Sequence, residues 1–168
     1  MSVSSREERF LASAPDLPPD AQDFAKRYLV LAGAEAVPML EAFFDKPPYD
    51  LMPRVVIADI LDAENFTVRY FGTAIVDIVG KDHTGITSQQ TRGAGLGQGY
   101  ANLSWYAVNY PCGYLSRRLI YRQNGPGALE AAFELLTVAV PARRQNGVQC
   151  LIQYHSSPHV AAGHQSGN

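Results

Sequence analysis

The residues able to do chemistry in this 168-residue chain are few, and their spacing is informative. His83, His155, His159 and His164 form no His-x-x-x-His pair beside an acid, and no H-E-x-x-H stretch occurs, so no metal site is expected. Glycines stand at 93, 95, 97 and 99. A dinucleotide fingerprint needs G-x-G-x-x-G directly after a strand and a P-loop needs a following Lys-Ser/Thr, and neither is met. That stretch reads as a loop, with a gate beside the following helix as its functional alternative. No G-x-S-x-G elbow occurs, and Asp59 and Asp62 straddle a strand end in place of flanking a cleft. Cys112 and Cys150 each sit in a segment that reads as a strand; two cysteines make no disulfide scaffold, and both are expected as buried free thiols.

Composition narrows the classes further. Hydrophobic residues make up 46% and charged ones only 18%, below the roughly 25% usual for soluble domains. The net charge of -2 comes without any dense Lys/Arg stripe, which argues against nucleic acid. Apolar runs such as Val55 to Ile60 are far shorter than the roughly 20 residues that cross a bilayer, and Arg6, Glu7, Glu8 and Arg9 do not open a secretory signal. A single domain in the cytoplasm, without membrane contact, is the expectation.

The elements that must position any site follow from punctuation and period. Pro18-Pro19-Asp20 opens a helix with Asp20 as its cap, running to about Ala32 before Gly33; Phe24, Tyr28 and Leu31 form its apolar stripe. Glu35 to Phe44 reads as a second helix. Arg54 to Leu61 is nearly unbroken apolar and β-branched, hence a central strand, and Phe66 to Tyr70 pairs with it across Asp62-Ala63-Glu64-Asn65. From Phe71 to Gln98 the chain reads as short helices between glycines. Leu96, Tyr100, Leu103, Ala107 and Tyr110 then fall on one side of a helix stopped by Pro111, with Trp105, Ala101 and Val108 on the other. Strands at 112–122, 131–140 and 148–155 complete the pattern, the last turn marked by Asn146-Gly147. On the last strand Gln149, Leu151, Gln153 and His155 share a face expected to be solvated, and Val148, Cys150, Ile152 and Tyr154 share the face expected to line the interior.

This order resembles a PAS domain with an N-terminal helical extension. The segment Phe71-Gly72-Thr73-Ala74-Ile75-Val76-Asp77-Ile78-Val79-Gly80-Lys81-Asp82-His83-Thr84-Gly85 looks like the stretch after the second PAS strand, where a short helix ends in glycine before another. Leu51-Met52-Pro53-Arg54-Val55-Val56-Ile57-Ala58-Asp59-Ile60 is similar to the opening strand of stand-alone bacterial PAS proteins. The resemblance spans residues 24 to 155. It implies an α+β fold with a five-stranded antiparallel sheet, wrapped by short helices around a cavity that senses a small molecule or supports dimerisation. The expected organisation is a flexible N-terminus over 1–19, a helical extension over 20–45, the PAS-like domain over 50–156 and a disordered tail over 157–168.

On that resemblance Phe66, Tyr70, Tyr100, Leu103, Tyr110, Tyr114, Phe133 and Ile152 are the expected ligand-binding residues, with Phe71 beside them. An apolar pocket with a few hydroxyls suits a small apolar or aromatic ligand, although the same side chains would equally fill a core. Haem-binding relatives use a histidine on or near the long helix, and light-sensing ones an Asn-Cys-Arg motif; both are missing, so no cofactor is expected. Phe24, Tyr28, Leu31 and Trp105 are the expected interface, covering the sheet or making a homodimer contact, and signals would pass to a partner protein. The expected protein is a non-enzymatic sensor or interaction module. The alternatives are a ligand-free dimerisation scaffold and a cone-shaped α+β isomerase or dehydratase, with Asp59 and His83 as its acid-base pair.

Overall fold

A computed structural model describes residues 17–33, 35, 37–91, 97–110, 112–123, 129–156 and 159–160. Helix α1 spans Pro19–Ala32 and α2 spans Leu40–Asp45. Strands β1 (Val55–Ile60) and β2 (Phe66–Phe71) form a hairpin. The short helices α3 (Thr73–Val79) and α4 (Ser88–Thr91) follow, then α5 (Gly97–Asn109). The chain closes with β3 (Tyr114–Gln123), β4 (Leu129–Arg143), β5 (Gln149–His155) and the two-residue β6 (His159–Val160). The architecture is α+β, an antiparallel five-stranded sheet in the order β2-β1-β5-β4-β3, with β6 pairing beside β4. Among the described residues no helix is long and apolar enough to cross a membrane.

Among the described residues, both faces of the sheet are covered at β1, β5 and the part of β4 beside them. Strand β1 is buried along its whole length. Val55 and Ile57 join Val138, Val140, Cys150, Ile152 and Tyr154 under α1 and α2, where Phe24, Tyr28, Leu29, Leu40 and Phe43 meet them. Val56, Ala58 and Ile60 point the opposite way, with Phe66, Val68, Ala139 and Leu151, against α5 and Ile75 of α3. Strands covered on both faces lose the polar alternation of a half-solvated sheet.

Helix α1 therefore belongs to the core. Pro19 occupies its first turn and Pro18 its N-cap, so Asp20 does not cap it. The Asp20 carboxylate instead accepts hydrogen bonds from Tyr154 Oη and Ser156 Oγ, both at 2.9 Å, and the Tyr28 hydroxyl donates to the Pro141 carbonyl at 2.7 Å. Gly33, at φ +55°, ends the helix. The expected second helix from Glu35 starts only at Leu40. Pro38 lies before it in extended chain, its carbonyl accepting from the Arg143 amide, and Met39 bridges to Arg143.

Further down the chain, α3 ends at Gly80, whose φ of +84° a side chain would resist. Gly72, just before α3, has another role. A Cβ there would run into the backbone carbonyls of Pro53 and Met52. Gly72→Ala is expected to cost about 1–3 kcal/mol through overpacking against rigid backbone, measured by urea unfolding; a neutral result would mean that the 52–54 turn yields.

Two further expectations are corrected. Cys112 is exposed and precedes β3, since the strand begins at Tyr114; only Cys150 is buried. The tail does not leave the fold at 156: Ser156 is fully buried and its amide donates to Leu136, while His159 pairs with Glu134 and Val160 with Phe133. Residues 1–16 and 161–168 lie outside the described residues, as do 93–96 of the glycine cluster, whose remaining members open α5.

Candidate functional site

Helix α5 meets the sheet through its small residues. Ala101, Ser104, Ala107 and Val108 are buried, and Trp105 packs partly buried into the same layer. Leu103 and Tyr110, expected inward, are exposed. The helix is thus rotated relative to the expected stripe. Small side chains let its axis approach the sheet, and Ala58 and Ala139 on the sheet side accept it. Trp105 consequently faces the core it was expected to avoid.

This layer is apolar with a few polar groups set into it. Ser104 is fully buried, and its Oγ has no hydrogen-bond partner. Gln153, buried on the face of β5 turned towards α5, donates through Nε2 to the Tyr114 hydroxyl at 3.1 Å. Gln149 Nε2 donates to the carbonyl of Val108 on α5 at 3.4 Å. The two glutamines expected on a solvated face therefore tie the last strand to the helix and to β3. Ser88, buried at the rim, accepts from the Phe66 amide and donates to Asn65 Oδ1, both at 3.4 Å. Phe71 reaches the same layer and stacks on His83 with ring centroids 5.2 Å apart. Every described side chain buried in this layer is uncharged.

The eight expected ligand-binding residues divide between the two faces. Phe66 and Tyr114 lie in the α5 layer. Tyr70 and Ile152 lie beneath α1, with the Tyr70 hydroxyl donating to the Met52 carbonyl at 3.2 Å. Leu103 and Tyr110 face outward, and the side chains of Tyr100 and Phe133 lie outside the described residues. Ile152 is expected beside the long helix, but alternation along β5 turns it beneath α1 and sets Leu151 and Gln153 on the α5 side. The four expected interface residues are all used inside the chain. Phe24 and Tyr28 are buried, Leu31 packs on the same cluster, and Trp105 packs beneath α5.

Ionic chemistry collects on the other face. Asp59 is buried on β1 and accepts from Arg69 Nε at 2.6 Å, Arg144 Nε at 2.8 Å and Cys150 Sγ at 3.4 Å. Arg69 reaches it because a bulge interrupts the hairpin: Ile57 pairs with Tyr70 and Ala58 with Val68, leaving Arg69 as the extra residue. Burial by itself would raise the Asp59 pKa, but the hydrogen bonds from Arg144 and Arg69 outweigh it and hold the carboxyl below its ordinary value. Burial, reinforced by the Asp59 carboxylate, pushes the Cys150 thiol up to about 12, so it stays protonated and unreactive. Asp59 and His83 do not form an acid-base pair, since Asp59 is held by arginines on the α1 side while His83 stacks on Phe71 of the α5 layer. Tyr154 is also raised, by burial first and then by the Asp20 carboxylate that its hydroxyl serves. Among the described residues no cluster of three or more His, Cys, Asp or Glu side chains is placed to hold a metal ion.

Sequence reasoning did not single out Ser104, Asp20 as a bonded carboxylate, or the pairing of Arg69 and Arg144. For Ser104 a signal existed: Ala101, Ser104, Ala107 and Val108 recur at helical spacing. No protein-family model matches the chain, and no curated protein matches it.

Proposed function

We propose that the chain is a PAS-type sensory or protein-interaction module that binds a small, largely apolar ligand between α5 and the sheet and signals through a partner protein. The sheet of five antiparallel strands, the short helices between β2 and β3 and the helix laid across β1, β5 and β4 support the PAS reading. The observation that carries ligand binding is the Ser104 hydroxyl. A buried, unbonded hydroxyl costs about 1–3 kcal/mol of desolvation. A ligand atom that donates to it or accepts from it removes that cost, and Gln153 and Tyr114 supply further polar groups in the same layer.

Ser104→Ala separates this reading from a ligand-free scaffold. With a resident ligand, native mass spectrometry of the purified wild type shows an added mass that leaves on denaturation, and the alanine variant loses it. Without one, the wild type is bare and the variant is more stable by about 1–2 kcal/mol, because alanine removes a polar group that nothing satisfies. The bare outcome rejects the sensor and leaves the scaffold.

A further inference from the structure

The outer side of α5 carries a second surface, independent of the ligand reading. Asn102, Leu103, Tyr106, Asn109 and Tyr110 share about a third of the helix circumference, and all five are exposed. Leu103 is 41%, Tyr106 57% and Tyr110 65% exposed. The Tyr106 and Tyr110 rings lie side by side, with centroids 4.9 Å apart and planes tilted by 36°. From Gly93 to Ser116 the sequence has no Asp, Glu, Lys, Arg or His. Helix α1, by comparison, turns the ion-paired Asp23 and Arg27 outward together with Lys26. Aromatic enrichment with charge depletion marks the centre of a protein interface, not an ordinary solvated helix face.

We propose that this arc is the contact through which two copies of the chain pair about a two-fold axis. A two-fold contact requires a patch that complements itself. Each polar group here meets that requirement: an asparagine amide and a tyrosine hydroxyl both donate and accept, so each can bond its own copy, whereas a lysine or glutamate cannot. A patch without charge also does not repel itself. A charged partner surface would have its charges desolvated against groups that cannot neutralise them. The residues first expected to make a dimer, Phe24, Tyr28, Leu31 and Trp105, are occupied within the chain, whereas this arc is exposed.

The test is sedimentation equilibrium of the full chain from about 1 to about 300 µM, a range covering weak to moderate affinities. Wild type should dimerise with rising concentration. Tyr106→Glu combined with Tyr110→Glu places like charges across the axis and should weaken association at least about a hundredfold with melting temperature unchanged for the monomer. Tyr49→Glu, at a residue 80% exposed outside α5, should dimerise as wild type does. If circular dichroism shows that the double variant fails to fold, Leu103→Lys provides the same reading. A wild type that stays monomeric throughout, or a folded arc variant that dimerises undiminished, overturns the proposal.

Discussion

Phe24→Ala should lower the unfolding free energy by about 3–5 kcal/mol, the usual cost of truncating a buried phenylalanine. Phe24 is 1% exposed and stacks on Tyr154 with centroids 5.1 Å apart and planes 15° apart. Its removal opens a cavity between α1 and β5 that the surrounding strands cannot close, because Ile152 and Val138 are held in the ladder of the sheet. The result bears on what the N-terminal helix does. If α1 were an arm reserved for a second copy, the alanine variant would change association and leave monomer stability alone. As part of the core, it should shift the urea midpoint strongly at any protein concentration. For the same reason, removing residues 1–45 should yield an unfolded chain, not a folded monomer, since it uncovers the face bearing Val55, Ile57, Ile152 and Tyr154. A variant within about 1 kcal/mol of wild type would show that α1 is loosely attached, below the range seen for core truncations.

The readable parts of the fold are those where local chemistry and tertiary packing agree. The run Val55-Val56-Ile57-Ala58-Asp59-Ile60 announces a central strand because it is covered on both sides, and the Gln145-Asn146-Gly147 turn is sharp because Gly147 takes φ +88°. Asp62 likewise organises its turn by accepting from the amides of Glu64 and Asn65. The expected stripe of α5 differs from its buried side for a physical reason. Hydrophobic size ranks Leu103 and Tyr110 above Ala101 and Ser104, but a helix pressed onto a sheet can turn its small residues inward and leave the large ones outside. The glutamines of β5 read as solvated because a hairpin-rich sheet is expected to keep one wet face, and whether a helix covers that face is a tertiary fact. The arginine pair could not be read at all: Arg69 and Asp59 come together through a one-residue bulge, and Arg144 lies 85 residues from Asp59 along the chain.

That bulge leads to the second large expected effect. Asp59→Ala should cost about 2 kcal/mol at neutral pH, less than the roughly 3–5 kcal/mol seen when one member of a fully buried ion pair is removed. The discount follows from exposure. The Asp59 side chain is 6% exposed, but those of Arg69 and Arg144 are 52% and 28% exposed, so both guanidinium groups can turn to water once the carboxylate is gone. Asp59→Asn keeps the shape and loses the charge, which isolates the electrostatic part. The folded carboxyl has a pKa below its ordinary value, so between the two values the unfolded chain binds the extra proton and the folded one does not. Stability contributed by Asp59 is therefore fully present above the ordinary carboxylate range, near pH 4, and is lost as pH falls through the lowered folded value. The gap in stability between wild type and Asp59→Asn should be widest near neutrality and close in acid, as urea unfolding along a pH series would read. A gap independent of pH would assign the loss to packing around β1 and Cys150. An asparagine variant as stable as wild type at neutral pH would mean that desolvation of Asp59 cancels its two ion pairs, leaving the bulge at Arg69 with no stabilising role through charge.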